Sequence, residues 1–246
     1  MTAENSLTIY LKDYQAPAYL VDHVALEFDL HPTATRVRST VKFRPNPNSS
    51  SSEFFLHGEN LTFLSAYING AAVTPVLTEA GLSCTVPDGP FIWQSEVEIN
   101  PSANTELSGL YMSNGMFCTQ CEAEGFRRIT FFPDRPDGMT VYTTTIRADK
   151  TSYPVLLSNG NLVESGELGG GRHFATWHDP FPKPSYLFAM VAGDLAHIED
   201  SFTTMSGREV TLRIFVEHGD EDRCGHAMDS LKRSMAWDEE RFSLEY

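Results

Sequence analysis

The chain has 246 residues, enough for one large or two small domains with their own hydrophobic cores. Hydrophobic residues make up 41% and aromatic residues 11%, values typical of a folded protein rather than a disordered one. The 18 basic and 33 acidic residues give a net charge of −15, which argues against binding of nucleic-acid phosphates. This acidic excess fits a cationic substrate, although surface solubility is the simpler explanation.

No part of the sequence indicates export or membrane insertion. No apolar run approaches the roughly 20 residues that a membrane-spanning helix needs. Residues 1–6 lack the basic region and hydrophobic stretch of a secretory signal peptide. The cysteines are too few and too scattered for a secreted disulfide scaffold: Cys84, Cys118, Cys121 and Cys224. We therefore expect a cytoplasmic protein with no membrane or nucleic-acid partner.

The first half of the chain predicts β-strands. Hydrophobic residues alternate with polar ones over residues 23–30 and 36–44, the period-two pattern of strands that bury one face. Asn69 and Gly70 separate two short apolar segments, which predicts a two-residue β-hairpin.

Further strands are predicted along the rest of the chain. Apolar and β-branched runs indicate them at 96–99, 141–148, 155–157, 174–177, 186–192 and 209–216. Pro45 and Pro47 predict an exposed loop, and the glycines at 169–171 predict a turn. Strands at short intervals with turn residues between them predict a mainly β fold, either a sandwich or a curved open sheet.

The last part of the chain, residues 222–242, changes to a helical pattern. Four apolar residues of this segment fall at helical spacing on one face: Met228, Leu231, Met235 and Phe242. They predict a packed amphipathic helix. Because the sequence stops soon after this helix, we expect it to contain only the beginning of a second domain.

Few residues form a recognisable catalytic or metal-binding pattern. Cys118 and Cys121 form a Cys-x-x-Cys pair, but the sequence has no second pair for zinc and no βαβ pattern for a redox couple. No two of the eight histidines are spaced four apart, so no His-Glu-x-x-His zinc helix exists here. A Gly-x-Ser-x-Gly nucleophile elbow and a Gly-x-x-x-x-Gly-Lys phosphate loop are also absent.

The most informative segment is residues 120–128, followed by residues 132–137. Gln120 and Glu122 lie two positions apart, and an amide beside a carboxylate suits the binding of a protonated amino group through charge-assisted hydrogen bonds. From the residues alone, a surface ion pair of Glu122 with Arg127 or Arg128 is the simpler interpretation.

The chain as a whole resembles the bacterial form of the aminopeptidase N family of zinc peptidases, a gluzincin family. The matching segments are residues 13–17, 26–30, 109–111, 118–127, 156–161, 179–184, 191–194, 206–209 and 237–242. Several independent matches in the same order make this resemblance specific, whereas one short motif would not.

The resemblance implies a fold and a function. Residues 1–194 are expected to form a saddle-like or sandwich antiparallel β domain, and residues 195–246 the first strands and helix of a thermolysin-like α+β catalytic domain. Gln120 and Glu122 match the family's Gln-x-Glu loop, whose glutamate holds the free α-amine of a peptide. Anchoring that amine determines which peptide bond meets the metal. The implied activity is removal of N-terminal amino acids, with zinc as the cofactor of the complete enzyme.

The sequence lacks the family's zinc-binding parts. The Gly-x-Met-Glu-Asn segment, the zinc helix, the third zinc ligand and the tyrosine that stabilises the transition state do not occur in it. We therefore expect no catalytic residue and no bound zinc in these 246 residues, and no activity from them alone. One alternative is a noncatalytic β-sandwich interaction module. A related enzyme with epoxide hydrolase activity is another, although residues 121–127 fit the bacterial aminopeptidase better.

Overall fold

The structure is a computed structural model that describes residues 10–246. Residues 1–6, used above in the argument about export, lie outside that range. Contacts divide the chain into two compact units, residues 1–192 and 193–246, which are described separately below. Among the described residues, no helix has both the length and the apolar character required to span a membrane.

The first unit consists mainly of β-strands. Its strands are β1 (Tyr19–Asp29), β2 (Thr35–Pro45), β3 (Phe55–His57), β4 (Thr62–Ile68), β5 (Ala71–Ala72), β6 (Val76–Thr78), β7 (Gly81–Ser83), β8 (Phe91–Ile99), β9 (Gly109–Ser113), β10 (Met116–Gln120), β11 (Thr140–Asp149), β12 (Val155–Ser158), β13 (Asn161–Leu168), β14 (Arg172–Lys183) and β15 (Met190–Gly193). Its 3-10 helices are Leu11–Asp13, Pro101–Ala103, Phe126–Arg128 and Ser185–Leu187. The prediction of a mainly β fold is confirmed.

The largest sheet has eight strands in the order β13-β14-β11-β1-β2-β8-β4-β5. Its two central strands follow the predicted alternation, because every second residue of β1 and β2 points into the core. Val24, Leu26 and Phe28 of β1 are at most 1% exposed, and Val37 and Val41 of β2 are fully buried. Strand β2 also includes Pro45, which the sequence had indicated as part of a loop.

One strand pair of this sheet departs from the predicted antiparallel arrangement. β1 and β11 run parallel, from the His23–Val141 pair to the Asp29–Arg147 pair, whereas the other neighbouring strands of the sheet are antiparallel. A parallel pair needs a long connection, and the chain between β1 and β11 provides one. Periodicity within a strand does not show which distant strand lies beside it, so sequence reasoning missed this pair.

Two smaller sheets pack with the large one around one hydrophobic core. Their strand orders are β12-β15-β10-β9 and β3-β7-β6. The largest fully buried side chains of this core are aromatic: Trp93, Tyr142, Phe28, Phe117, Phe126 and Phe132. Because Phe117 belongs to β10 and Phe126 follows it closely, the core reaches the segment that carries Gln120 and Glu122.

Two predicted turns are confirmed. Asn69 and Gly70 have positive φ angles of 51° and 82° and join β4 to β5 as a hairpin. Gly170 and Gly171 also have positive φ angles, 74° and 77°, and they connect β13 to β14. Both positions use a backbone conformation that glycine and asparagine adopt at low cost.

The strand predicted over residues 186–192 is only partly correct. Its first part is the 3-10 helix Ser185–Leu187, and β15 begins at Met190. The main-chain N–H of Phe188 donates to the carbonyl of Ser185 at 3.0 Å, and that of Ala189 donates to the side chain of Asn159 at 2.7 Å. These bonds occupy backbone groups that a continuous strand would use for pairing.

The second unit combines a two-stranded sheet with a helix. β16 (Ala196–Thr203) and β17 (Glu209–Val216) pair antiparallel, and α1 (Gly225–Phe242) follows a 3-10 helix over Glu221–Arg223. Its small core consists of Val210, Leu212 and Met228.

The predicted apolar stripe of α1 is only partly packed. Met228 is buried and Met235 packs against the core, as expected. Leu231 and Phe242 are 37% and 56% exposed, so they do not share that burial. A two-stranded sheet offers only one narrow apolar face, and within this unit it does not cover the whole helical stripe.

Candidate functional site

Gln120 and Glu122 lie at the end of β10 and in the turn that follows it. Gln120 is the last residue of the strand and pairs with Gly109 of β9, so its main chain belongs to a sheet. Both side chains are exposed. The Gln120 amide Nε2 donates to the main-chain oxygen of Glu122 at 3.4 Å, and the Glu122–Ala123 peptide bond is cis. The structure thus brings the two predicted residues together on one exposed turn.

The ion pair considered for Glu122 does not form among residues 10–246. Arg127 lies 3.1 Å from Asp134, 3.3 Å from Glu124 and 3.8 Å from Glu59. Arg128 pairs instead with Glu59 at 3.2 Å and Glu106 at 3.9 Å. Both arginines are therefore used elsewhere, and the Glu122 carboxylate faces solvent. An exposed carboxylate beside an amide is able to accept hydrogen bonds from an ammonium group.

The base of this turn is buried and tightly packed. Cys121 is 2% exposed and Phe126 is fully buried, although they flank exposed residues. The N–H of Gly125 donates to the Cys121 carbonyl at 2.8 Å, which closes the turn. A Cβ atom on Gly125 would lie 2.4 Å from the Gln120 carbonyl oxygen and 2.9 Å from the Gly109 nitrogen. Only glycine fits there, because main-chain atoms occupy the space of a side chain.

Asp134 lies beneath the turn and connects it to the rest of the unit. Its side chain is only 1% exposed. Oδ2 accepts hydrogen bonds from the main-chain N–H and the Nε of Arg127, both at 3.1 Å, and Oδ1 accepts one from Ser185 Oγ at 2.5 Å. The Asp134 carbonyl also accepts a bond from Arg127 Nη2 at 3.2 Å. This buried carboxylate therefore holds both the backbone and the side chain of Arg127.

His57 of β3 completes the surroundings of Asp134. The Asp134 N–H donates to His57 Nδ1 at 3.3 Å, and main-chain bonds of 2.9 and 3.1 Å join His57 to Phe132. Burial lowers the pKa of His57, and the nearby Arg127 charge lowers it further. The neutral imidazole is the form whose ring nitrogen accepts the Asp134 N–H.

Sequence reasoning assigned no role to Asp134, Ser185 or His57. They are distant from one another in the chain. Asp134 lies in residues 132–137, part of the most informative stretch of the sequence, but that stretch indicates no partner for it, and Pro133 and Pro136 indicate only a rigid local backbone. His57 and Ser185 lie outside every matching segment.

The two cysteines of the Cys-x-x-Cys pair are free thiols. Burial raises the pKa of both Cys118 and Cys121, so both are protonated at neutral pH. A metal ligand or redox nucleophile needs the thiolate form.

A metal site requires several ligating side chains close together. Residues 10–246 contain no group of three or more His, Cys, Asp or Glu side chains placed to hold a metal ion.

Comparisons with known proteins agree with the resemblance noted above. Residues 14–187 match the Peptidase M1 N-terminal domain. Aminopeptidase N of Caulobacter vibrioides is 51% identical over 251 aligned residues, covering 100% of this chain and 29% of that protein. Aminopeptidase N of Escherichia coli is 49% identical, covering 96% of this chain and 27% of that protein.

Solved structures show the same relationship. The crystal structure of Legionella pneumophila aminopeptidase A in complex with aspartic acid matches with a TM-score of 0.90 and 40% identity, covering 96% of this chain and 28% of that one. An M1 zinc metallopeptidase from Deinococcus radiodurans, bound to a Tyr-Ser-Ala substrate, matches with a TM-score of 0.73 over 91% of this chain and 54% of that one. Its 16% identity supports the fold alone.

The chain is much shorter than these curated relatives. It spans 29% of the Caulobacter vibrioides protein, 27% of the Escherichia coli protein and 28% of the Haemophilus influenzae protein. The family match nevertheless covers residues 14–187, which is most of the chain. The chain belongs to the M1 peptidase family and contains its N-terminal domain.

Proposed function

We propose that this chain is the N-terminal part of a zinc aminopeptidase that removes N-terminal amino acids from peptides, and that Gln120 and Glu122 bind the α-ammonium group of the peptide. The observation that supports this most directly is the state of Glu122. Its carboxylate is exposed on a closed turn, and the two arginines near it pair with other acids. Whole-chain similarity to aminopeptidases N supports the substrate class.

The two side chains have different roles in this proposal. The Glu122 carboxylate accepts charge-assisted hydrogen bonds from the ammonium group. The Gln120 amide has its Nε2 engaged by the Glu122 carbonyl, which leaves its Oε1 to accept a further N–H. Binding the amino terminus in this way allows only the first peptide bond to reach the catalytic centre.

Zinc belongs to this proposal only through the complete enzyme, where it would polarise the scissile carbonyl and activate water. None of residues 10–246 is assigned to the metal. The 246-residue chain alone is accordingly proposed to be inactive.

The domain assignment also remains part of the proposal. Residues 1–194 are proposed to form the β domain, and residues 195–246 the opening sheet and helix of a thermolysin-like catalytic domain. The division by contacts falls between residues 192 and 193, close to that boundary. The cytoplasmic location remains a prediction from the sequence.

A first experiment determines whether the proposed enzyme exists. The product of the full reading frame is purified from its source cells, and its intact mass is measured together with its hydrolysis of an alanine anilide. A mass several times 27.5 kDa with anilide turnover supports the proposal. A mass of 27.5 kDa without turnover contradicts it and favours the noncatalytic interaction module.

A second experiment tests the role of Glu122 in that full-length protein. Glu122→Gln removes the charge that binds the ammonium group, so kcat/KM for the anilide is expected to fall by about 10- to 100-fold. Glu124→Gln is the matched control, because Glu124 lies in the same exposed turn but pairs with Arg127. Its kcat/KM is expected to stay within about threefold of the unmodified protein. Equal kcat/KM values for the two variants would contradict the assignment.

A further inference from the structure

We propose that Asp134 is a positioning residue that keeps Glu122 available for the substrate ammonium group, by holding Arg127 beneath the turn. This inference rests on the proposed function of the Gln120–Glu122 turn. Asp134 itself is only 1% exposed on its side chain and is not assigned any contact with the substrate.

The turn that carries Glu122 is attached to the rest of the unit at both ends. At the entry, Gln120 is paired with Gly109 in the sheet. At the exit, the N–H of Arg127 donates to Asp134 Oδ2 at 3.1 Å, and the Arg127 carbonyl accepts a bond from the Glu59 N–H at 3.0 Å. Hydrogen bonds of main-chain groups therefore hold both ends of the exposed turn.

Asp134, which anchors Arg127, is itself held by other parts of the unit. The Asp134 carboxylate accepts a bond from Ser185 in a 3-10 helix, and the main-chain N–H of Asp134 donates to His57 in β3. These partners come from two other parts of the unit, 51 and 77 residues away in the chain. Asp134 thus bonds to Arg127 and Ser185 through its carboxylate and to His57 through its main-chain N–H, which restricts where Arg127 can lie more than a single local contact would.

The Arg127 guanidinium is a second cation close to the turn that is proposed to bind the substrate ammonium group. Arg127 Nη2 lies 3.3 Å from the Glu124 carboxylate, so its guanidinium already reaches the exposed turn, two residues from Glu122. Asp134 binds its Nε and its main-chain N–H on the buried side. Without the Asp134 charge, the guanidinium loses its buried partner but keeps its contact with Glu124, so it is expected to shift toward the exposed turn and compete with the substrate ammonium group for Glu122.

Tight packing connects the exit of the turn to Gln120. Gly125 packs so closely on the Gln120 carbonyl that even a Cβ atom would lie 2.4 Å away from that oxygen. A displacement of the 125–127 backbone therefore moves Gln120, because no free space absorbs it. Loss of the Asp134 anchor is expected to change the positions of both substrate-binding residues.

The test uses two inhibitors that differ only in the α-amine, L-leucine hydroxamate and 4-methylpentanohydroxamate, with the product of the full reading frame. Inhibition constants are measured for both compounds with the unmodified protein, Asp134→Asn, Ser185→Ala and Glu122→Gln. Asp179→Asn is the matched control, because Asp179 is also largely buried but pairs with Lys183, at 2.9 Å. The readout is the ratio of the two constants, which reports amine recognition and cancels a general loss of active protein.

For Asp134→Asn, the constant for L-leucine hydroxamate is expected to rise about tenfold, while that for the compound without the amine changes by less than about twofold. Ser185→Ala is expected to raise the constant for L-leucine hydroxamate about threefold. This variant still tests the inference if Asp134→Asn does not fold. Asp179→Asn is expected to leave the ratio unchanged. The double variant Glu122→Gln/Asp134→Asn is expected to show a loss in the ratio smaller than the product of the two single losses, because both changes act on the same ammonium site.

The possible results separate the inference from the function on which it rests. If Glu122→Gln changes the ratio but Asp134→Asn and Ser185→Ala do not, Asp134 has no positioning role and the inference is overturned. An equal loss of affinity for both inhibitors in Asp134→Asn also overturns it, since that result indicates a purely structural residue. If Glu122→Gln leaves the ratio unchanged, the proposed ammonium site itself is wrong.

Discussion

The tip and the base of the turn after β10 place carboxylates in opposite surroundings. At the tip, Glu122 is exposed and forms no ion pair with the neighbouring arginines among residues 10–246. At the base, the Asp134 side chain is 1% exposed and accepts bonds from Arg127 and Ser185. A buried carboxylate must have its partners within the protein, whereas an exposed one is free to take a ligand. The base therefore provides structure, and the tip provides the proposed chemistry.

The largest expected effect is the loss of the buried carboxylate. Asp134→Ala leaves Arg127 without its buried partner and removes the Ser185 bond, so the free energy of unfolding is expected to fall by about 3–5 kcal/mol. The matched change at the tip, Glu122→Ala, is expected to alter it by less than about 0.5 kcal/mol. Urea unfolding of the unmodified protein, Asp134→Ala and Glu122→Ala measures both changes in unfolding free energy. Similar losses in the two variants would remove the distinction between tip and base.

A smaller effect is expected from filling the space at the base. Gly125→Ala places a methyl group against the main-chain oxygen of Gln120, so the unfolding free energy is expected to fall by about 1–3 kcal/mol. Gly138→Ala is the matched control, because its nearest neighbour would be 3.5 Å from the new Cβ atom. The same urea measurement applies, and a stable Gly125→Ala protein would show that the turn is less tightly packed than its geometry indicates.

The smallest expected effect is a pH dependence at the base. The pKa of His57 is lowered by burial and by Arg127, so the unfolded chain binds more protons than the folded one just below the ordinary histidine pKa of about 6.5. The stability that comes from neutral His57 is present above that value and is lost as the pH falls below it. His57→Gln is expected to reduce the stability difference between about pH 7.5 and about pH 5.5, measured by urea unfolding.

The pH measurement has an internal reference. Burial also lowers the pKa of His23, which lies in β1 and is unchanged in the His57→Gln variant. Part of the acid sensitivity is therefore expected to remain after the substitution. If His57→Gln leaves the whole pH dependence intact, the neutral imidazole beside Asp134 contributes nothing to it.

Local features of the fold were predictable, and long-range ones were not. The alternation in β1 and β2 and the Asn69-Gly70 turn depend on residues next to one another, and the structure confirms them. The parallel β1–β11 pair depends on segments more than one hundred residues apart, which no local pattern describes. The prediction that α1 packs its apolar stripe was half correct for a similar reason. The spacing of apolar residues along a helix does not show how much of that stripe a sheet covers.

In the candidate site, the residues were predictable from the sequence and their surroundings were not. Gln120 and Glu122 were identifiable because they are two positions apart and belong to a recognisable family segment. Their ammonium-binding role remains a proposal, but the structure determines what surrounds them. The sequence alone favoured an ion pair of Glu122 with Arg127 or Arg128, and the folded chain directs both arginines to other acids.

The sequence by itself determined the β-rich character of the chain, its M1 family and the two residues of the candidate site, because each is expressed in neighbouring residues or in an ordered series of motifs. Only the tertiary structure decided that Asp134 is buried and that it joins Arg127 to Ser185 and His57. The physical reason is that burial and hydrogen-bond partnership depend on which distant segments meet. A carboxylate has the same chemical formula at the tip and at the base, and its surroundings determine whether it stabilises the fold or is available to a ligand.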